Sequence, residues 1–408
     1  MELKPGYKQT GVGTIPEDWE CSTVRDIASK ARNAIVGGPF GSDLVSKDYV
    51  EYGVPVIRGQ NMIGKWISGS FAFVTAAKAK SLEANLARPG DVVFTQRGTL
   101  GQVSLVPENS FDSYLVSQSQ MKLSVNRQIA DPLFYFYVFT SEDQQALIRG
   151  GTIQTGIPHI NLGILRDIPV QLPLLPEQHA IATTLSDMDE LLGALDRLIA
   201  KKRDLKQAAM QQLLTGTTRL PGFDGEWEVK TIEDSADCLD NVRVPLNETQ
   251  RSRMKGDYPY CGANGVLDYV NDYVIDDDII LMAEDGGYFD EYEYRPIAYR
   301  MIGKCWINNH AHILKAKLGF DQGFVYYTLV HKNILPFLAS GTRAKLNKSE
   351  MNKIEMHFPK EKPEQTAISA ILSDMDTEIA VLEKRRDKTR TLKQAMMQEL
   401  LTGKTRLI

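Results

Sequence analysis

The chain has little cysteine: four residues in 408, at positions 21, 238, 261 and 305. None forms a C-x-x-C pair, which excludes a disulfide scaffold and argues against a structural zinc site. A reducing, cytoplasmic setting is expected. No apolar run reaches ~18 residues, so no membrane span is expected. Met1 leads into Glu-Leu-Lys-Pro-Gly, without the apolar stretch of a signal peptide. Positive charge is not in excess either. The formal net charge is −5, which counts mildly against a nucleic-acid binder of the usual basic kind. The acidic excess lies in residues 221–362, which leaves a local basic surface open elsewhere. What remains is ordinary: 43% hydrophobic and 24% charged residues fit globular protein, and the length suggests two or three domains.

Catalytic signatures are missing as well. There is no NPPY or DPPY motif and no glycine-rich cofactor loop of a methyltransferase. The TGKT at 402–405 is not a phosphate-binding loop, because Gln398 stands where the first glycine should be. Asp276-Asp277-Asp278 reads as a solvated turn before a strand. His310-Ala-His312 has no cysteine or carboxylate at ligand spacing. No metal is expected.

What the chain does have is a repeat. Residues 176–220 and 363–407 align without a gap at an offset of 187, and more than half of the positions are identical. PEQ, LSDMD, LKQAxMQ and LLTGxTRL recur in one register. Both copies read as long helices. Pro176 and Pro363 suit a first turn, and Glu177 and Glu364 suit the positive helix end. Gly216 and Gly403 fall where a left-handed cap belongs. Ile181, Leu185, Met188, Leu192, Leu195 and Ile199 are spaced alternately by four and three, as are Ile368, Leu372, Met375, Ile379 and Leu382. This is a heptad seam that calls for a partner helix, and the obvious partner is the other copy. At ~1.5 Å per residue each rod is roughly 57 Å long. Lys201-Lys202-Arg203 and Lys384-Arg385-Arg386 interrupt the seam, as a solvated face or as a docking surface.

A globular segment precedes each helix. Trp19-Glu20 opens the first and Trp227-Glu228 the second, while Gly151-Thr152 and Gly341-Thr342 lie near their ends. Short β-branched runs bounded by glycine and proline predict strands at 54–59, 90–98 and 102–107, and at 277–287, 295–308 and 311–317. Helical stretches are expected at 131–148 and 323–339. The expected division is 1–175, 176–216, 217–362, 363–403 and a tail at 404–408. The fold class is α+β: two β-rich domains and two long antiparallel helices in a pseudo-twofold repeat.

Together with GGPFGSDL (37–44), GVPVIRGQN (53–61), YPYCGANGV (258–266), MAEDGG (282–287) and WINNHAHIL (306–314), these features resemble the DNA-specificity subunit of type I restriction–modification systems. The resemblance covers essentially the whole chain. It implies that each globular domain is a target-recognition domain for one half of a split DNA site. It implies that the helices set the interval between the halves, and that the subunit docks modification (methyltransferase) subunits, two of them, with restriction/translocase subunits. It implies no catalysis here; S-adenosylmethionine, ATP and Mg belong to those partners. A coiled-coil scaffold without DNA binding, or a stand-alone methyltransferase or nuclease, are the competing readings.

Base reading in the major groove needs bidentate side chains: Arg on guanine, Asn or Gln on adenine. Loops between rigid strands should carry them. This points to Arg58, Gln60, Asn61, Gln96, Arg97 and Gln118 in the first domain. In the second it points to Asn264, Asn308, Asn309 and His310. Asn264 beside Gly265 reads equally well as a turn, and Asn308, Asn309 and His310 as a network that fixes the fold. Thr152 and Gln154, with Thr342, Arg343 and Lys345, are expected at phosphates.

Overall fold

A computed structural model describes residues 5–153, 158–339 and 344–407. The chain folds as two compact units. One comprises Met1–Ala194 with Arg386–Ile408, the other Leu195–Arg385. Each therefore takes one end of each long helix, Leu175–Leu213 and Lys362–Leu400.

In the first unit, strands Val103–Leu105, Val92–Thr95, Gln120–Leu123 and Ile35–Gly37 form an antiparallel sheet in that order. Val92–Thr95 is buried along its whole length. A five-stranded sheet follows the order Tyr49–Val50, Ala72–Val74, Val54–Ile57, Tyr114–Val116, Leu86–Ala87, with one parallel pair, Val54–Ile57 beside Tyr114–Val116. A ribbon of Glu20–Thr23 with Pro169–Leu172 ties the start of the globular part to its end. The core helix Pro132–Thr140 is aromatic and buried. Asp131 caps it by accepting the Phe134 N–H, and Pro132 fills the first turn, where no N–H is needed.

The second unit repeats this plan with one larger sheet. Its order is Ala236–Cys238, Ala311–Ala316, Ile275–Ala283, Ala298–Ile307, Lys255–Gly262, Gly265–Val270, and the parallel pair is Lys255–Gly262 beside Ala298–Ile307. Trp227–Thr231 pairs with Glu355–Pro359 as the closing ribbon. Asp321 caps the core helix Gln322–Leu329 through the Phe324 N–H.

The blocks of identity in the repeat now have contacts. The Gln of PEQ holds the core-helix cap. Gln178 accepts the Asp131 N–H at 2.9 Å and donates to the Pro173 carbonyl, and Gln365 does the same for Asp321 and Pro359. The second Asp of LSDMD meets the Lys of LKQ across the helices: Asp189 with Lys393 in the first unit, Asp376 with Lys206 in the second, each at 2.5 Å. A tyrosine of each core helix donates to the same carboxylate, Tyr137 to Asp189 at 2.7 Å and Tyr327 to Asp376 at 2.8 Å. In each unit the start of one helix thus runs beside the end of the other in opposite sense.

The Arg of TRL reaches the Glu of PEQ. Arg406 lies on Glu177 and Arg219 on Glu364. Gly216 and Gly403 both take positive φ, 71° and 67°, as a left-handed cap requires. A Cβ at Gly216 would stand 3.1 Å from the Trp227 ring, and one at Gly403 3.1 Å from Trp19. The Trp-Glu openings therefore seat the glycine turns that end the helices.

The seam has a second use that the spacing did not disclose. Ile181 and Leu185 are buried in the core of the first unit, and Ile368 and Leu372 in that of the second. The first turns of each helix pack on a globular core as well as along the partner helix. The first charge run is paired across the helices: Lys202 meets Glu378 at 2.6 Å, and Arg203 meets Glu383. Asp277 and Asp278 are not a turn. They lie on a strand and pair with Lys315 and Arg300.

Candidate nucleic-acid interface

The candidate readers gather in one place in each unit, on three loops of the first unit and two of the second that follow sheet strands. The first loop, residues 58–61, leaves the parallel strand Val54–Ile57. The second, 96–99, leaves Val92–Thr95. The third, 117–120, joins Tyr114–Val116 to Gln120–Leu123. Backbone bonds lock them together: Ser117 N–H to Ile57 O at 3.1 Å, Gln96 N–H to Ser119 O at 2.7 Å. The second unit builds the same three loops at 262–265, 284–287 and 308–311. Asn308 N–H donates to Cys261 O at 3.0 Å and Glu284 N–H to His310 O at 2.9 Å. A fourth segment closes on the second loop in each unit, through Ile160 N–H to Gln96 O and Leu346 N–H to Glu284 O. It carries the expected phosphate contacts. Gln154, Thr342 and Arg343 lie outside the described residues.

Within this frame the candidates separate by what their side chains already do. Arg58 is half-buried, and its Nε is buried without a hydrogen-bond partner. Such a group is costly to leave unmade. Arg97 and Asn309 are exposed. Gln96 is half-buried beside Gly37. Gln60 and Gln118 are exposed and donate their amides to backbone, Gln60 to Ser70 O, and Gln118 to Gly41 O and Leu44 O.

Asn61 and Asn308 are different. Asn61 is 1% exposed; it accepts the Arg58 N–H and donates to the Ser68 and Ser70 carbonyls. Asn308 is 4% exposed and accepts the His310 N–H. Both are buried and shape their loops, which sets them apart from the exposed candidates. Asn264 donates to Gly286 O and joins the first loop to the second. His310 Nδ1 sits 2.6 Å from Asp285 Oδ1. The Thr152 hydroxyl donates to Ile148 O, and Lys345 lies 2.8 Å from the Glu284 carboxylate, which offsets its charge toward a phosphate.

The second unit also carries a buried charge network under its loops. The fold brings Cys238, Asp240 and His312 within 4.8 Å of one another. The sequence hid this group, because 72 residues separate Asp240 from His312. The set does not fit a metal ion as it stands. His312 Nδ1 bonds Asp240 at 2.7 Å and Nε2 bonds Leu346 O at 2.8 Å, so both ring nitrogens are used. The Arg243 guanidinium already occupies the cation position, 3.2 Å from Asp240 and also on Glu284. Burial alone would lower the His312 pKa. The Asp240 carboxylate outweighs it and holds the ring pKa up at about 9. Burial pushes Glu284 up, but Lys345 and Arg243 bring its carboxyl below the ordinary value.

The comparisons with known proteins agree with this architecture. The family model of the type I restriction modification DNA specificity domain matches twice, over residues 16–201 and 224–389. The chain belongs to that family, whose role is sequence recognition of DNA and whose specificity subunits are not themselves enzymes. It is 36% identical over 140 residues to a type I restriction enzyme specificity subunit of Haemophilus influenzae, about a third (34%) of each chain. It is 24% identical to the MjaX and MjaVIII specificity subunits of Methanocaldococcus jannaschii, over 98% and 96% of this chain and 97% and 94% of theirs. Among solved structures, the type I S subunit from M. genitalium matches with a TM-score of 0.63 at 18% identity, covering 98% of both chains. A chain from a study of type I complex assembly and conformational transition matches at 0.55 and 17%, over 96% of this chain and 99% of its own. No described helix is long and apolar enough to cross a membrane.

Proposed function

We propose that this chain reads a bipartite, non-palindromic site on double-stranded DNA, one half with the loops of each unit, and holds modification and restriction subunits on that site. One observation carries the reading. The two units build the same three loops on the same backbone bonds, yet fill them with different side chains. A scaffold duplicated for protein binding alone has no reason to keep the loop frame and change only its tips. In this reading 1–175 and 217–362 are the recognition domains, and helix length sets the number of base pairs between the half-sites. The partners are two methyltransferase subunits and the restriction/translocase subunits, which bring S-adenosylmethionine, ATP and Mg, in the cytoplasm. Arg58, Gln60, Gln96, Arg97, Gln118, Asn264, Asn309 and His310 face the bases; Thr152, Gln154, Thr342, Arg343 and Lys345 face phosphates.

The test is to map methylated bases by single-molecule sequencing in cells with and without this chain. A split motif that vanishes on deletion is expected. DNA methylation by the purified chain alone would favour the enzyme reading. Failure to shift split-site DNA, even with modification subunits present, would favour the bare scaffold.

A further inference from the structure

Arg97 and Asp285 occupy the same position in the two units. Arg97 forms an isolated bridge with His159, and His159 one with Ile153; Asp285 bridges Lys345, and Lys345 bridges Ala339. The residue before each gives its carbonyl to the fourth segment, Gln96 to Ile160 N–H at 3.0 Å and Glu284 to Leu346 N–H at 2.7 Å. The residue after each is a glycine at positive φ, 99° at Gly98 and 66° at Gly286. One backbone thus presents a guanidinium in one unit and a carboxylate in the other. The first loop changes in the same direction. Ile57 and Cys261 accept equivalent bonds from the third loop, so Arg58 stands where the second unit has Gly262.

We infer that position 97/285 sets which base each half-site carries at one equivalent place: guanine for Arg97 and cytosine for Asp285. The inference rests on the DNA-reading function proposed above. An arginine offers paired donors to guanine O6 and N7, whereas a carboxylate only accepts, and the major-groove donor that suits it is the cytosine N4 amino group. Asp285 is also aimed. Its Oδ1 lies 2.6 Å from His310 Nδ1, and Asn264 fixes the adjoining Gly286 carbonyl at 2.9 Å.

The experiment maps methylation motifs for the complete complex carrying wild-type chain, D285N or R97A, with a thermal melt of each complex. In D285N one place in the second half-site should turn from cytosine toward adenine, because an amide pairs with adenine N6 and N7, or lose discrimination by roughly tenfold or more. The first half-site should be unchanged. In R97A one guanine of the first half-site should relax by a similar factor, and this arm decides if D285N fails to assemble. Assembled variants that keep the wild-type motif, or change both halves together, overturn the assignment while the DNA-reading function stands. A wild-type complex without a split motif overturns both.

Discussion

Arg406 holds Glu177 from 229 positions further along the chain, with Nε 2.5 Å from Oε1 and a terminal nitrogen 2.8 Å from Oε2. The same guanidinium reaches Asp18 at 2.9 and 3.0 Å, and Trp19 donates to Glu177 at 3.0 Å. The Glu177 side chain is only 4% exposed. Replacing Arg406 with alanine strips a buried carboxylate of its cation, and the cost should be about 2–3 kcal/mol. That is below the ~3–5 kcal/mol of a fully buried pair, because a third of Arg406 already meets water. Urea unfolding checks this. The E177Q/R406A double variant should recover part of the loss, and strict additivity of the two single losses would show that the contact contributes nothing.

Arg58 leads to a second expectation. Its Nε is buried without a partner, so the folded chain gains little from the guanidinium before DNA arrives. R58A should leave the melting temperature within a degree or two of wild type while weakening split-site binding by ~1–3 kcal/mol at one base position. Competition binding against single-base variants of the site reads this out. A uniform loss over all sequences, with a shallower salt dependence, would instead make Arg58 a phosphate contact.

The repeat was readable from sequence because both members of each clasp recur. Glu177 and Glu364, Asp189 and Asp376, Lys393 and Lys206, Arg406 and Arg219 are identical pairs, and identical pairs survive as motif. Loops 58–61, 96–99 and 262–265 were found for another reason: each holds a glycine, and polar side chains beside glycine mark a turn at the end of a strand. What each side chain does there was hidden. An asparagine in a loop looks the same whether it meets a base or, like Asn61, three nearby backbone groups. The match of Arg97 to Asp285 was also invisible, because the two residues share no chemistry and only the bridges to His159 and Lys345 align them.

The network around His312 makes the second unit pH-dependent. Its ring pKa lies at about 9 in the folded chain against 6.5 ordinarily, and Asp240, Glu284, Cys238, Arg243 and Lys345 are the charged or titratable groups around it. A raised pKa stabilises the fold fully below about 6.5, and that stabilisation is lost as pH rises through 9. The loss should be of the order of a few kcal/mol. Melting curves between pH 6 and 9.5 should slope downward for wild type and lie flatter for H312N, which carries no titrating ring. Equal slopes for the two would assign the pH dependence elsewhere.

Helix length gives the most direct handle on the proposed spacing. Each helix runs for 39 residues without a break, and the clasps sit near their ends: Asp189 with Lys393, Asp376 with Lys206. Removing seven residues from the middle of both helices shortens each by roughly 10 Å and keeps the heptad phase, so every clasp can still form. B-DNA rises ~3.4 Å per base pair along each strand, so the accepted spacer should shorten by about three base pairs while both half-site sequences stay the same. Removing only four residues breaks the phase and should instead lower stability without yielding a shorter-spacer motif. Methylation mapping of both deletions decides the matter. If the seven-residue deletion keeps the original spacer, the helices do not set the interval, because nothing else in such a variant could restore the lost length.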